Sequence, residues 1–216
     1  MTSTIEDIFT EPEDVDPDTL ANLGPLARLA GIWEGRKGTD INPKADGPER
    51  RPYIERIEMQ PIDPQANGPQ LLYGLRYHVH VNTEEEDITF HDQVGYWLWE
   101  AKTGMIMQSL TIPRGQAVLA GGRASKDGNV VVVSAKRGAT DFGIVSTPFL
   151  EHAFRTESYM LTVTFHADGT WSYISDTMLA VRGQDELFRH RDVNTLTKVG
   201  DAKPNPLFTI ESAKVS

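Results

Sequence analysis

Turn signatures recur along this chain at even intervals, and that rhythm constrains the fold more than any other feature. They fall at Lys44-Ala45-Asp46-Gly47-Pro48, Asn67-Gly68-Pro69, Asn82-Thr83-Glu84-Glu85-Glu86, Lys102-Thr103-Gly104, Pro113-Arg114-Gly115, Lys126-Asp127-Gly128-Asn129 and Ala167-Asp168-Gly169-Thr170. Asn-Gly and Asp-Gly pairs tolerate the positive φ that tight hairpins need. Between the turns lie runs rich in β-branched and aromatic residues: Tyr53–Met59, Leu71–Val81, Ile88–Trp99, Met105–Ile112, Gln116–Ala124, Val130–Lys136, Tyr159–His166, Trp171–Leu179 and Phe188–Val199. With Ile32–Lys37 they make about ten strands at the spacing of an all-β fold. The expected architecture is an antiparallel up-and-down β-barrel. Closure removes exposed strand edges, and a barrel of this size can enclose one small ligand.

A length of 216 residues suits a single domain of this kind. Leu20, Leu23, Leu26, Leu29 and Ala30 recur at near-helical spacing behind Asp18, a candidate N-cap. Residues 18–30 therefore read as one short N-terminal helix that plugs the barrel. Residues 1–17 read as an acidic flexible arm, 18–200 as the barrel domain and 201–216 as a C-terminal tail. The segment Arg137–His152 holds Gly138, Gly143 and Pro148 and reads as a loop.

Composition removes several classes of function. With no Cys, disulfides, thiol catalysis, thiolate zinc sites and iron–sulfur clusters are excluded. The net charge is −10, and seven acids but no base fall in residues 1–20. No basic footprint of a nucleic-acid partner is present. No run approaches the roughly 20 apolar residues of a membrane span. The N-terminus lacks the basic and apolar regions of a signal peptide, so a cytoplasmic location is expected.

Histidines are the main candidates for chemistry. His78 and His80 share a strand face and read as solvent-facing. His166 sits by a turn, and His152 lies in the irregular segment. His91 lies in a strand with aromatics on both faces; it either lines the cavity or serves as a core or rim residue. In Phe188-Arg189-His190-Arg191-Asp192-Val193-Asn194, the even positions share one face and the arginines the other. His190 is therefore expected to point inward, as a core hydrogen-bonding group or as the single axial ligand of a haem iron.

Several segments together resemble the nitrobindin family, haem-binding barrels akin in shape to lipocalins and fatty-acid-binding proteins. They are Leu26-Ala27-Arg28-Leu29-Ala30-Gly31-Ile32-Trp33-Glu34-Gly35, Tyr53-Ile54-Glu55-Arg56-Ile57, Phe90-His91-Asp92-Gln93-Val94-Gly95-Tyr96, Met107-Gln108-Ser109 and the last strand with His190. The run after Trp33 keeps only part of the family's Gly-rich pattern, and loops are expected to be inserted near 40–50 and 138–152. The resemblance implies haem b, with His190 bound to iron. It implies Phe90, His91 and Gln108 on the ligand side, and Thr177 or Met178 as a further pocket residue. It also implies nitric oxide and peroxynitrite as small-molecule ligands, and a peroxynitrite isomerase activity on ferric haem. A homodimer is compatible with the sequence. The alternatives are a haem-free carrier of a fatty acid or other apolar ligand, with Arg76, Arg114, Arg155 or Arg182 holding a carboxylate, and a filled barrel acting through its surface.

Overall fold

The computed structural model describes residues 7–85 and 88–215. Residues 1–6 of the acidic arm and Glu86 of one turn lie outside them. Twelve strands follow in order: β1 (Gly31–Lys44), β2 (Gly47–Pro61), β3 (Gln65–Asn67), β4 (Gln70–Asn82), β5 (Thr89–Glu100), β6 (Met105–Ile112), β7 (Gln116–Arg123), β8 (Val130–Lys136), β9 (Ile144–Ser146), β10 (Phe154–Phe165), β11 (Trp171–Val181) and β12 (Phe188–Gly200). Ten of them form the wall, in the ring order β2-β1-β12-β11-β10-β8-β7-β6-β5-β4, and β2 pairs with β4 to close it. All pairings are antiparallel, and the barrel expected from the turn rhythm is the fold observed. The two remaining strands are three residues each: β3 lies along the start of β4, and β9 along β7.

Four local expectations are corrected or refined. The N-terminal helix is broken into α1 (Thr19–Asn22) and a 3-10 turn (Gly24–Leu29). Gly24 sits at φ 55° against the Trp99 ring, and Pro25 has no N–H to continue the helix. The stretch near 40–50 is no loop: Thr39 through Lys44 pair with Pro52 back through Gly47, so the first hairpin extends beyond the rim. The segment Arg137–His152 contains β9 and most of α2 (Pro148–Ala153). It has a structural task, because β7 and β8 share only the pair Gly121–Ser134 while β9 pairs with Gln116–Val118 on that β7 edge. The segment read as a C-terminal tail carries α3 (Pro206–Val215). Asn205 anchors it at the closed end: its Nδ2 donates to the carbonyl of Pro17 (2.9 Å) and to Asp63 (2.8 Å), and its Oδ1 accepts from the backbone of Thr19 (3.2 Å). No helix among the described residues is long and apolar enough to cross a membrane.

The apolar core lies at that closed end. Leu23, Leu26 and Leu29 are wholly buried beneath Trp33, Trp97, Trp99 and Trp171. Trp33 Nε1 donates to the carbonyl of Leu29 at 2.8 Å, and the Trp33 and Trp171 rings meet edge-on at 5.8 Å. The plug therefore seals one end of the barrel and leaves the other open. Leu26→Ala is expected to lower unfolding free energy by about 2–5 kcal/mol through lost burial and a residual cavity. Chemical denaturation measures it; a loss under about 1 kcal/mol would show that the plug contributes little.

Candidate functional site

Between the plug and the open end lies a cavity of about 560 Å³, within the usual range for small-molecule sites. Its apolar wall includes Ile57, Val79, Leu110, Val118, Leu161 and Val163, which alternate inward along five strands. Lys44, Arg51 and Arg114 stand among the lining residues near the open end.

Two hydrogen-bonded bridges cross this interior. On one side Tyr159 Oη donates to Gln108 Oε1 at 2.9 Å, joining β10 to β6. Gln108 and Gln93 both donate to Tyr77 Oη, at 3.2 and 2.7 Å, and Tyr77 Oη donates to the carbonyl of Ser109 at 3.1 Å. On the other side Tyr173 Oη donates to Glu55 Oε2 at 2.8 Å, leaving Tyr53 Oη as the donor in the 2.7 Å contact between the two tyrosines. Asn194 Nδ2 donates to the same Glu55 oxygen at 2.9 Å. Gly35 and Gly38 make room for this second bridge: a Cβ at either would collide with Asn194 or the Tyr53 ring. Burial raises the pKa of Tyr53, Tyr77, Tyr159 and Tyr173, so all four serve as neutral hydroxyls.

His190 faces the cavity, as the alternation of β12 predicts. Its Nε2 lies 2.8 Å from Asp40 Oδ1 and 3.4 Å from Asp192 Oδ2. Burial disfavours the charged ring, but Asp192 and Asp40 outweigh it and push the imidazole up to about 10. Burial also opposes ionisation of both carboxyls. Asp40, nearer to His190 and bonded by Asn42, is nonetheless held below its ordinary value, whereas Asp192 is raised. The outward arginines behave as expected: Arg189 forms a two-pronged pair with Asp176 at 2.7 Å, and Arg191 approaches the same carboxylate at 3.7 Å.

The other candidates divide. Phe90 and His91 are sequence neighbours, yet both line the cavity. A bulge explains this: Val81 pairs with His91 and Asn82 with Thr89, leaving Phe90 as the extra residue. His91 Nε2 donates to Gln93 Oε1 at 3.3 Å. Gln108 is buried in the first bridge with both ends of its amide engaged. Thr177 lines the cavity opposite His190 in the β11–β12 ladder. Met178 alternates to the other face of β11, so of the two it is Thr177 whose side chain lines the cavity. His78 and His80 face outward and bond Asp92 (3.0 Å) and Thr89 (2.9 Å). His166 bonds Ser172 near its turn, and His152 lies in α2 beside Arg182.

Sequence reasoning missed Glu55 and Asp40. The signal for Glu55 was present: Tyr53, Glu55, Ile57 and Met59 alternate as one buried face, with a carboxyl among apolar residues. Glu55 is 3% exposed, and burial pushes its carboxyl up to about 7, against the bonds from Asn194 and Tyr173. The folded protein thus keeps a proton that the unfolded chain releases near pH 4.5. Stability contributed by this group is greatest below that value and falls as pH rises through about 7, by about 3 kcal/mol in all. Glu55→Gln should flatten the decline between pH 5 and 8, measured by denaturation at a series of pH values. Parallel curves for variant and parent would contradict the assignment.

The family model described as the THAP4-like, heme-binding beta-barrel domain matches residues 22–198. A search of curated proteins gave no match. Among solved structures, Rv2717c from M. tuberculosis is similar at a TM-score of 0.59 and 21% identity, over 86% of this chain and 99% of that one. At that identity the likeness concerns the fold alone. The family match covers most of the chain and nearly the whole barrel, and the chain belongs to the THAP4-like haem-binding β-barrel family, the nitrobindin family that its motifs resemble.

Proposed function

We propose that the cavity binds haem b, with His190 as the axial donor to iron, and that the bound haem handles nitric oxide and peroxynitrite. The observation that carries this reading is an imidazole on the wall of a ligand-sized cavity in a haem-binding family. The residues present fit the group. Apolar side chains offer a dry surface to the macrocycle. Lys44, Arg51 and Arg114 offer cations to carboxylate side arms near the open end.

When bound, haem supplies an iron centre at which small nitrogen oxides coordinate and rearrange. The chain's own residues do the rest. His190 must offer a lone pair, so its ring gives up the proton that Asp40 and Asp192 now stabilise. Those carboxylates can accept that proton and then orient the ring, the usual task of groups next to a metal-bound histidine. Phe90 and His91 shape another part of the wall, where His91 can present a polar edge to a small ligand and Phe90 excludes water. Gln108, engaged at both ends, positions Tyr77 and Tyr159 rather than meeting the ligand. The bridges keep the interior rigid while the cavity fills.

Titration of the purified haem-free protein with hemin is expected to give saturable one-to-one uptake with a strong Soret band. His190→Ala should lose that band. A pyridine haemochrome spectrum of the bound pigment should be of the b type. Uptake that His190→Ala leaves unchanged would remove His190 as ligand. No uptake at all would turn the reading to a carrier of an apolar ligand, and co-purifying lipid would then be sought by mass spectrometry.

A further inference from the structure

We propose that Asp40, His190 and Asp192 form a binding site for a divalent first-row transition-metal ion at the cavity wall of the haem-free protein. One ligand atom from each residue lies within 4.8 Å of the others. The His190 nitrogen is 2.8 Å from one carboxylate oxygen and 3.4 Å from the other. Donors bound at about 2.0–2.2 Å to a common ion stand roughly 2.9–3.5 Å apart. The 3.4 Å spacing falls in that range, the 2.8 Å spacing is just short of it, and all three donor atoms lie within 4.8 Å of one another.

Asp40 supplies independent support. It is 7% exposed, and its Oδ1 is shielded from solvent yet accepts no hydrogen bond, although a ring nitrogen lies 2.8 Å away. An ordinary histidine–aspartate pair aligns an N–H with the oxygen lone pair. Here the two atoms are held close without that alignment, an arrangement that an ion shared between them would relieve. The other oxygen of Asp40 accepts from Asn42 at 2.6 Å, which fixes the carboxylate's orientation. A buried oxygen without a donor is costly, and a cation would satisfy it.

The ladder adds a second argument. Asp40 and Asp192 are direct cross-strand partners on β1 and β12. Like charges placed opposite one another destabilise a sheet, and one imidazolium offsets only one of them. Two carboxylates and a neutral imidazole balance a doubly charged ion. Oxygen and imidazole donors together suit manganese, iron, cobalt or zinc. His190 and Asp192 line the cavity, so an ion there can keep water or meet a small ligand.

This site goes beyond the haem reading and does not rest on it. Both use the same imidazole, so the two occupants exclude each other there. The test is titration of metal-stripped, haem-free protein with Co²⁺, followed by visible absorption and calorimetry. One-to-one binding is expected, with Asp40→Asn and Asp192→Asn each weakening it at least about tenfold and His190→Ala abolishing it. Asn42→Ala, which removes only the group orienting Asp40, should weaken it less and covers the case in which Asp40→Asn fails to fold. His78→Ala removes the exposed histidine beside Asp92 and should change nothing. Protein preloaded with Zn²⁺ should take up hemin more weakly than the metal-free form. No Co²⁺ binding, or binding lost in His78→Ala and kept in Asp40→Asn, overturns the site. Hemin uptake without Co²⁺ binding leaves the haem reading standing alone, and Co²⁺ binding without hemin uptake does the reverse.

Discussion

The pairing of β2 with β4 turns an eleven-strand path of hydrogen bonds into a closed wall, and the interior depends on that closure. Once the ring is shut, alternate residues of each strand have nowhere to point but inward. Most of them are apolar, and at the closed end they pack against the leucine plug and the tryptophans. Farther along, the facing strands stand too far apart for side chains to meet everywhere, so a cavity remains. The hairpin β1–β2 matters twice in this geometry: it joins the ring on both sides, and the pairing of its β1 arm with β12 brings Asp40 to His190.

Polar groups inside such a barrel must satisfy one another, because burial without a partner costs more than a hydrogen bond returns. The two bridges do this at a distance. Tyr159 reaches Gln108, and Tyr173 reaches both Glu55 and Tyr53 of β2, across strands that are not neighbours. Glu55 shows the strain of the arrangement: two donors serve one of its oxygens, burial disfavours its charge, and its carboxyl holds its proton near neutrality. His190 stands in the opposite situation, with two carboxylates at one ring. The cavity therefore contains an acid inclined to be neutral and an imidazole inclined to be charged, and any ligand that enters alters that balance.

Much of the fold was legible in the sequence because hairpin turns are encoded locally. Asp46-Gly47, Asp127-Gly128 and Asp168-Gly169 mark reversals through their own backbone preferences, without help from tertiary contacts. His190 was legible for the same kind of reason, since β12 is regular where it lies and alternation carries the side chain inward. Legibility fails where regularity fails. In β1 Arg36 and Lys37 together stand opposite the single residue Ile54, and this one-residue bulge shifts the register between Gly35 and Gly38, so Trp33 and Asp40 both face inward despite opposite parity. Phe90 and His91 both reach the cavity because of a second bulge. A pattern of period two cannot anticipate either event. The break at Gly24 depends on the Trp99 ring, a contact between distant segments. β9 and α2 carry too little periodicity of their own and are fixed by the incomplete seam between β7 and β8.

The central claim is that one inward imidazole, held by Asp40 and Asp192, decides what the barrel accepts. The most direct measurement is a crystal structure of the protein grown with hemin, read at the His190 ring. The account predicts a porphyrin in the cavity, iron bonded to a His190 nitrogen and the 2.8 Å contact with Asp40 broken or rearranged. A porphyrin bound elsewhere, with the His190–Asp40 contact intact, would contradict it.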